Sequence, residues 1–240
     1  MKALIVVLLM SPFCAQAAQS LTPYNAEYKV KIMILSGKLF TEFRRTEEGF
    51  MARSVVQPSG IAKLFVGGDI EESAWFGTGD GGVIPDKYRS VDSISSDKKV
   101  MDFQFDWDRQ QVAGTINDEP HLLELDGLVH DRVSIQYELM LDLLNDEPDH
   151  NYMLLNEDEL RPILVTNIGT KTIKVPYGKF SAVGIQHSTE DSSRKTTLWC
   201  VEELGYVPIM IEQHRDGKLR VRAVLKHYAP ISDTVETAAN

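Results

Sequence analysis

Residues 199–228 read W-C-V-E-E-L-G-Y-V-P-I-M-I-E-Q-H-R-D-G-K-L-R-V-R-A-V-L-K-H-Y. Val207, Ile209 and Ile211 alternate with Pro208, Met210 and Glu212. Beyond Asp216-Gly217, Leu219, Val221, Ala223 and Leu225 alternate with Arg220, Arg222, Val224 and Lys226. Two period-2 runs around an Asp-Gly pair predict a β-hairpin, because the primed turns that suit twisted strands need φ > 0 at both central residues. One face of this hairpin is apolar throughout, so another element must cover it.

Upstream, the same alternation recurs. Tyr24, Ala26, Tyr28, Val30, Ile32 and Ile34 alternate with mostly polar residues, and Ser36-Gly37 is expected to turn the chain into a return strand from Leu39 to Arg45. Phe50 to Gln57 and Asp69 to Phe76 follow as strands. Ile61, Leu64 and Phe65 are spaced for a short helical turn with Ser59 as its cap. Met101, Phe103, Phe105 and Trp107 alternate against Asp102, Gln104 and Asp106. Short strands are expected at Gln111 to Ile116, His121 to Leu125 and Tyr152 to Asn156. Arg161 to Ile168, Lys171 to Pro176, Phe180 to Thr189 and Arg194 to Val201 are further strands.

The long helix expected begins near Asp131, a suitable cap, and carries Val133, Tyr137, Met140, Leu141 and Leu144 at helical spacing. It should end by Asn145, before Pro148. Asp142, Asp146 and Glu147 at its C-terminal end have the wrong sign for the helix dipole. Many one-sided strands with a single long helix as cover favour a large curved antiparallel sheet, a half-barrel or barrel-like fold that is mainly β.

Of 240 residues, 43% are hydrophobic and 25% charged, enough for a real core without disorder. Lys2, the apolar run from Ala3 to Met10 and Ala15-Gln16-Ala17 have the pattern of a secretory signal peptide, residues 1–17. Export to the periplasm follows as an expectation. Residues 18–230 then form one β-rich domain, and 231–240 a polar tail expected to be disordered. Beyond the signal no segment has the length of a membrane span. Without the signal one cysteine remains, Cys200, so no internal disulfide forms, and it reads as a small core hydrophobe. A net charge of −10 argues against nucleic acid and against docking on an anionic membrane.

Chemistry is sparse. His121, His130, His150, His187, His214 and His227 show no metal-ligand spacing. The acidic runs at 146–149 and 157–159 lack the glycine spacing of a Ca²⁺ loop and read as solvated turns. Gly77, Gly79, Gly81 and Gly82 lack the Lys-Ser/Thr of a phosphate cradle and read as a turn. No Gly-x-Ser-x-Gly or Ser-x-x-Lys occurs. No catalytic residue, metal or cofactor is assigned.

An ordered set of motifs carries a family resemblance: Tyr24-Asn-Ala-Glu-Tyr-Lys-Val30, Gly60 before an apolar turn, Ile84-Pro85 with Tyr88, and Phe105-Asp106-Trp107. It continues with the helix start from Asp131 to Tyr137, Gly178-Lys-Phe180, and Trp199 through Gly205-Tyr-Val-Pro208. The chain thereby resembles the bacterial exported family catalogued as domain of unknown function 3108. The resemblance implies an exported β-rich protein, with fold-level analogy to periplasmic lipoprotein-carrier half-barrels and no catalytic residues to carry over.

A curved sheet of this kind often encloses an apolar cavity. The expected function is non-enzymatic binding of a lipophilic or envelope-derived ligand, with Trp75, Phe103, Phe105, Trp107, Tyr137 and Trp199 as candidate lining. An envelope hydrolase acting on glycan or lipid through carboxylates or histidine, and an assembly or adaptor protein using a sheet edge, are the alternatives.

Overall fold

The computed structural model describes residues 20–64, 67–79, 81–94, 97–146, 152–189 and 192–231. The expected signal peptide, residues 65–66 of the short helical turn and all of the polar tail after Ile231 lie outside the described residues. The strands are β1 (Tyr24–Ile32), β2 (Leu35–Thr46), β3 (Gly49–Ser59), β4 (Ile70–Gly79), β5 (Gly82–Asp92), β6 (Lys99–Asp106), β7 (Gln111–Ile116), β8 (Glu119–Glu124) and β9 (Val129–His130). Helix α1 (Ser134–Asn145) follows. Then come β10 (Tyr152–Asn156), β11 (Glu159–Val175), β12 (Gly178–Thr189), β13 (Arg194–Val201), β14 (Val207–Arg215) and β15 (Lys218–Pro230). A 3-10 turn, Gly60–Leu64, stands where the short helical turn was expected.

The fifteen strands among the described residues form one sheet, in the order β8-β7-β6-β5-β4-β3-β2-β1-β15-β14-β13-β12-β11-β10-β9. The chain meanders outward from β1 to β8 and, after the helix, meanders back from β10 to β15. The terminal strands β1 and β15 pair antiparallel in the middle, Tyr24 opposite Pro230 and Ile32 opposite Val221. The hairpin at Asp216-Gly217 forms as its sequence predicts, with φ of 52° and 70° at the two turn residues. It lies at the centre of the sheet, because β15 has β14 on one side and β1 on the other. Every pairing is antiparallel except the two-residue strand β9 beside β10, a parallel pair the periodicity could not reveal.

Two local expectations are corrected. The first turn falls at Met33-Ile34, and Ser36 and Gly37 lie inside β2, opposite Ser59 and Pro58. Gly37 faces Val30 with the carbonyl of Gln57 so close that a Cβ would overlap it; the glycine serves close approach instead of a turn. The two strands expected on either side of Gly169 are the single 17-residue β11, which bends between Asn167 and Thr170 with Gly169 at φ 86°.

The helix lies within the curve of the sheet as a wedge between its two halves. Tyr137 packs on Phe43 and Phe76, with ring centroids 4.4 and 5.3 Å away. On its other side Ile135 and Leu139 pack with Ile163, Ile185, Leu198 and Cys200 in a second core cluster. This is why α1 is buried nearly all round, including Glu138 at 2% exposure. The Glu138 carboxylate accepts the Val83 N–H at 2.5 Å, and Gly82 beside it adopts φ 105°. The glycine cluster at 77–82 thus brings the start of β5 onto the helix.

The two halves also meet edge to face. β9 and α1 lie against β5 with no ladder between them. Arg132 bridges this gap, 2.9 Å from Glu72 and donating to the Tyr88 hydroxyl at 3.1 Å, while Tyr88 donates to Glu72 at 2.6 Å. Burial pulls the Arg132 pKa down, but Glu72 and Tyr88 outweigh it and hold the guanidinium charged. Lys99 at the start of β6 reaches Glu157 in the β10–β11 turn at 2.5 Å.

Placing a methyl group at Gly82 requires a strained φ and displaces the Glu138 carboxylate. Gly82→Ala is expected to lower the unfolding free energy by about 2–5 kcal/mol, read from urea denaturation, and Glu138→Gln by less. An unchanged midpoint for Gly82→Ala would contradict this clamp.

Candidate functional site

The Asp131 carboxylate caps α1 as expected. Its Oδ1 accepts the N–H groups of Val133 at 2.7 Å and Ser134 at 2.9 Å, and Ser134 Oγ returns the favour by accepting the Asp131 N–H at 3.0 Å. At the other end, Asp146 sits in the left-handed region at φ 53° and its N–H closes on the Asp142 carbonyl. Asp142 is buried and accepts a hydrogen bond from the Tyr152 hydroxyl.

Beside this acidic helix end is a cavity of about 520 Å³, between the C-terminal half of α1 and the strands β11, β12 and β13. Its walls are Leu139, Leu143, Val165, Val183, Ile185 and the Cys200 thiol. The inner faces of the strands supply them at every second position, and the bend in β11 opens the space beside Asn167 and Thr170. Asp142, Asp146, Glu202 and Glu203 form the polar border, with Tyr152 and Tyr206, and no Lys, Arg or His joins them among the described residues. Burial, and then the charges of Glu202 and Asp146, raise the Tyr206 pKa. Burial raises that of Cys200 well above its ordinary value, so the thiol is protonated and inert.

A second cleft of about 530 Å³ lies toward the N-terminal half of the helix, between β2–β4 and β10–β14. Leu139 borders both spaces, so the helix is the partition. This cleft carries basic groups instead, with Arg132, Arg161, Arg194 and His187 on its walls; Arg132 and Arg161 are paired with Glu72 and Glu159.

The six candidate aromatic residues do not converge. Phe103, Phe105, Tyr137 and Trp199 are packed in the main core. Tyr137 borders the second cleft, while Phe105 and stacked Trp107 border a shallow depression; the Trp107 indole donates to the Pro85 carbonyl at 2.6 Å. Trp75 lies on the face of β4 opposite Ala74, under the Lys87 ammonium. Trp199 points away from Leu198, its ring covered by Lys171 at 3.6 Å and its indole donating to Glu212 at 3.3 Å. None of the six borders the 520 Å³ cavity. Its lining joins aliphatic residues to acids at the helix end and to Asn167, Thr170 and Ser181, and the sequence signal for it was the unexplained acid at the helix end. Among the described residues no group of three His, Cys, Asp or Glu side chains is placed to hold a metal ion.

Two recessed imidazoles link the core to pH. Burial lowers the pKa of His130 and of His187 from 6.5 to about 4, and burial raises Asp131 from 3.8 to about 6 against its bonds to Ser134 and Val133. As pH falls from 6.5 to 4 the unfolded chain binds protons at both histidines before the folded protein does, which costs stability. Asp131 acts in the opposite sense between 6 and 3.8, because the folded carboxyl takes its proton first. Two histidines outweigh one carboxyl, so these groups make the protein less stable at acid pH. His130→Gln is expected to recover about 2 kcal/mol of the loss between about pH 7.5 and pH 5, read from chemical denaturation at both pH values. An equal acid loss in this variant would remove His130 from the account.

The fold is shared with a solved protein. A crystal structure of a beta-barrel-like protein of domain of unknown function DUF1849 from Brucella abortus superposes with a TM-score of 0.58 at 11% identity, covering 88% of this chain and 98% of that one. At that identity the likeness is one of fold. Comparison with curated proteins finds no match. Residues 23–223 match the family described as "Protein of unknown function (DUF3108)". That match spans nearly every strand described above, from β1 into β15, and the chain therefore belongs to the DUF3108 family.

Proposed function

We propose that the protein is exported to the periplasm and there binds a small lipophilic or envelope-derived molecule in the cavity beside the C-terminal half of α1. The observation that carries this reading is the roughly 520 Å³ space, in which an aliphatic wall from α1, β11 and β12 meets acidic groups at the helix end and after β13, a form that can bury an apolar body beside a polar head group. Export rests on the signal-like pattern of residues 1–17.

The border selects among head groups. Asp146, Glu202 and Glu203 and the negative end of the helix dipole face the mouth. Such a field favours a cationic or neutral head and repels an anionic one. A non-catalytic role fits the placement of the titratable groups. His130 and Asp131 are sealed at 1% and 0% exposure, and His187 is on the other side of the helix.

Nile red fluorescence with the chain of residues 18–240 tests the site. The dye is expected to bind and to be displaced by decyltrimethylammonium at concentrations at least about ten-fold lower than by decanoate. Val183→Trp, which fills the cavity from its wall, is expected to abolish dye binding while the circular dichroism spectrum is kept. Dye binding that persists in Val183→Trp, or a preference for decanoate, would overturn the proposal.

A further inference from the structure

The β1–β2 hairpin turns on Met33 and Ile34, and it does so against local preference. Two-residue turns favour Gly, Asn or Asp, yet Met33 holds φ 53° and Ile34 is 92% exposed. Ile32, Met33, Ile34 and Leu35 form four consecutive apolar residues, all exposed, with Met33 at 66%. The neighbouring ends of the sheet add to them. Ile61 in the 3-10 turn after β3 is 74% exposed, and Leu219 at the start of β15 is 39% exposed. β2 packs with that 3-10 turn, and the Met33 N–H donates to the Arg220 carbonyl at 3.0 Å, so these residues share one end of the molecule.

Cations ring this apolar tip. Lys31 is the next-to-last residue of β1, Lys63 lies in the 3-10 turn, and Arg215, Lys218 and Arg220 flank the β14–β15 turn, where Asp216 is the one acid. The five cations form no ion pair among the described residues. Arg220 instead lies against Met33, its Nη1 3.9 Å from the sulfur. The net charge of −10 is thus unevenly spread, and this end of the molecule is basic although the total is acidic.

We propose that the Met33-Ile34 tip docks the protein on an anionic phospholipid surface, the apolar side chains entering the interface and the surrounding cations meeting the head groups. A protruding apolar loop with a basic collar suits a soft, negatively charged interface. A second copy of the chain is a poorer occupant, since pairing two tips would oppose like charges. The proposal is independent of what the cavity holds.

Co-sedimentation of residues 18–240, which contain every described element, with sucrose-loaded vesicles tests it. Binding is expected to vesicles containing phosphatidylglycerol, to weaken as salt rises, and to be weak on phosphatidylcholine alone. Lys218→Gln is expected to lower the partition coefficient about five-fold, the effect of one cation at a charged surface. Ile34→Asp, at a fully solvated position, is expected to lower it at least about ten-fold with the circular dichroism spectrum unchanged. Absence of vesicle binding, equal binding to neutral vesicles, or binding undiminished in Ile34→Asp overturns the proposal. So does a dimer in size-exclusion chromatography that Ile34→Asp converts to monomer while vesicle binding is unchanged, which would assign the tip to a second copy.

Discussion

The pairing of β1 with β15 is the constraint on which the rest of the structure depends. Either meander alone would be an open sheet with an uncovered apolar face. Joined along this seam, the two halves share one curve, and a single helix between them covers both. The Tyr28 hydroxyl reinforces the seam by reaching past β15 to the Pro208 carbonyl at 3.0 Å. A seam between residues about two hundred positions apart is costly in loop-closure entropy, and a sheet so ordered should form late in folding.

Much of this architecture was legible in the chain. The Asp216-Gly217 hairpin, the Asp131 cap and the alternation in β1, β6 and β14 are local patterns, and local patterns survive in the fold. The errors arose where local and tertiary demands part. Ser36-Gly37 has turn chemistry, yet the sheet needs Gly37 for close packing and places the turn on two large apolar residues instead. Glu138 carries no local signal, and only the burial of the helix on nearly all sides makes it a clamp for the β5 start. The candidate ligand residues were chosen as large aromatics. Size fills cores as readily as it lines cavities, and Trp199, buried in the main core with Lys171 over its ring, shows that outcome.

Charge is distributed with more order than its total suggests. The helix end and the segment after β13 place carboxylates around one cavity mouth, while lysines and arginines gather around the Met33-Ile34 tip. Opposite fields on one small molecule orient it as well as attract it, so any charged surface it meets would see a preferred end.

The edge-to-face closure of the sheet has a mechanical meaning. β9 approaches β5 through side chains alone, with Arg132, Glu72 and Tyr88 at the centre and Lys99–Glu157 nearby. A fully laddered barrel can widen only by breaking backbone hydrogen bonds in register. Here the two ends of the sheet are held by these charged contacts and by the packing of α1 against both halves, with no strand ladder between them. The closure is thus a latch of side chains on a continuous coil, and its strength depends on charge and ionic strength in a way that a closed ladder's would not.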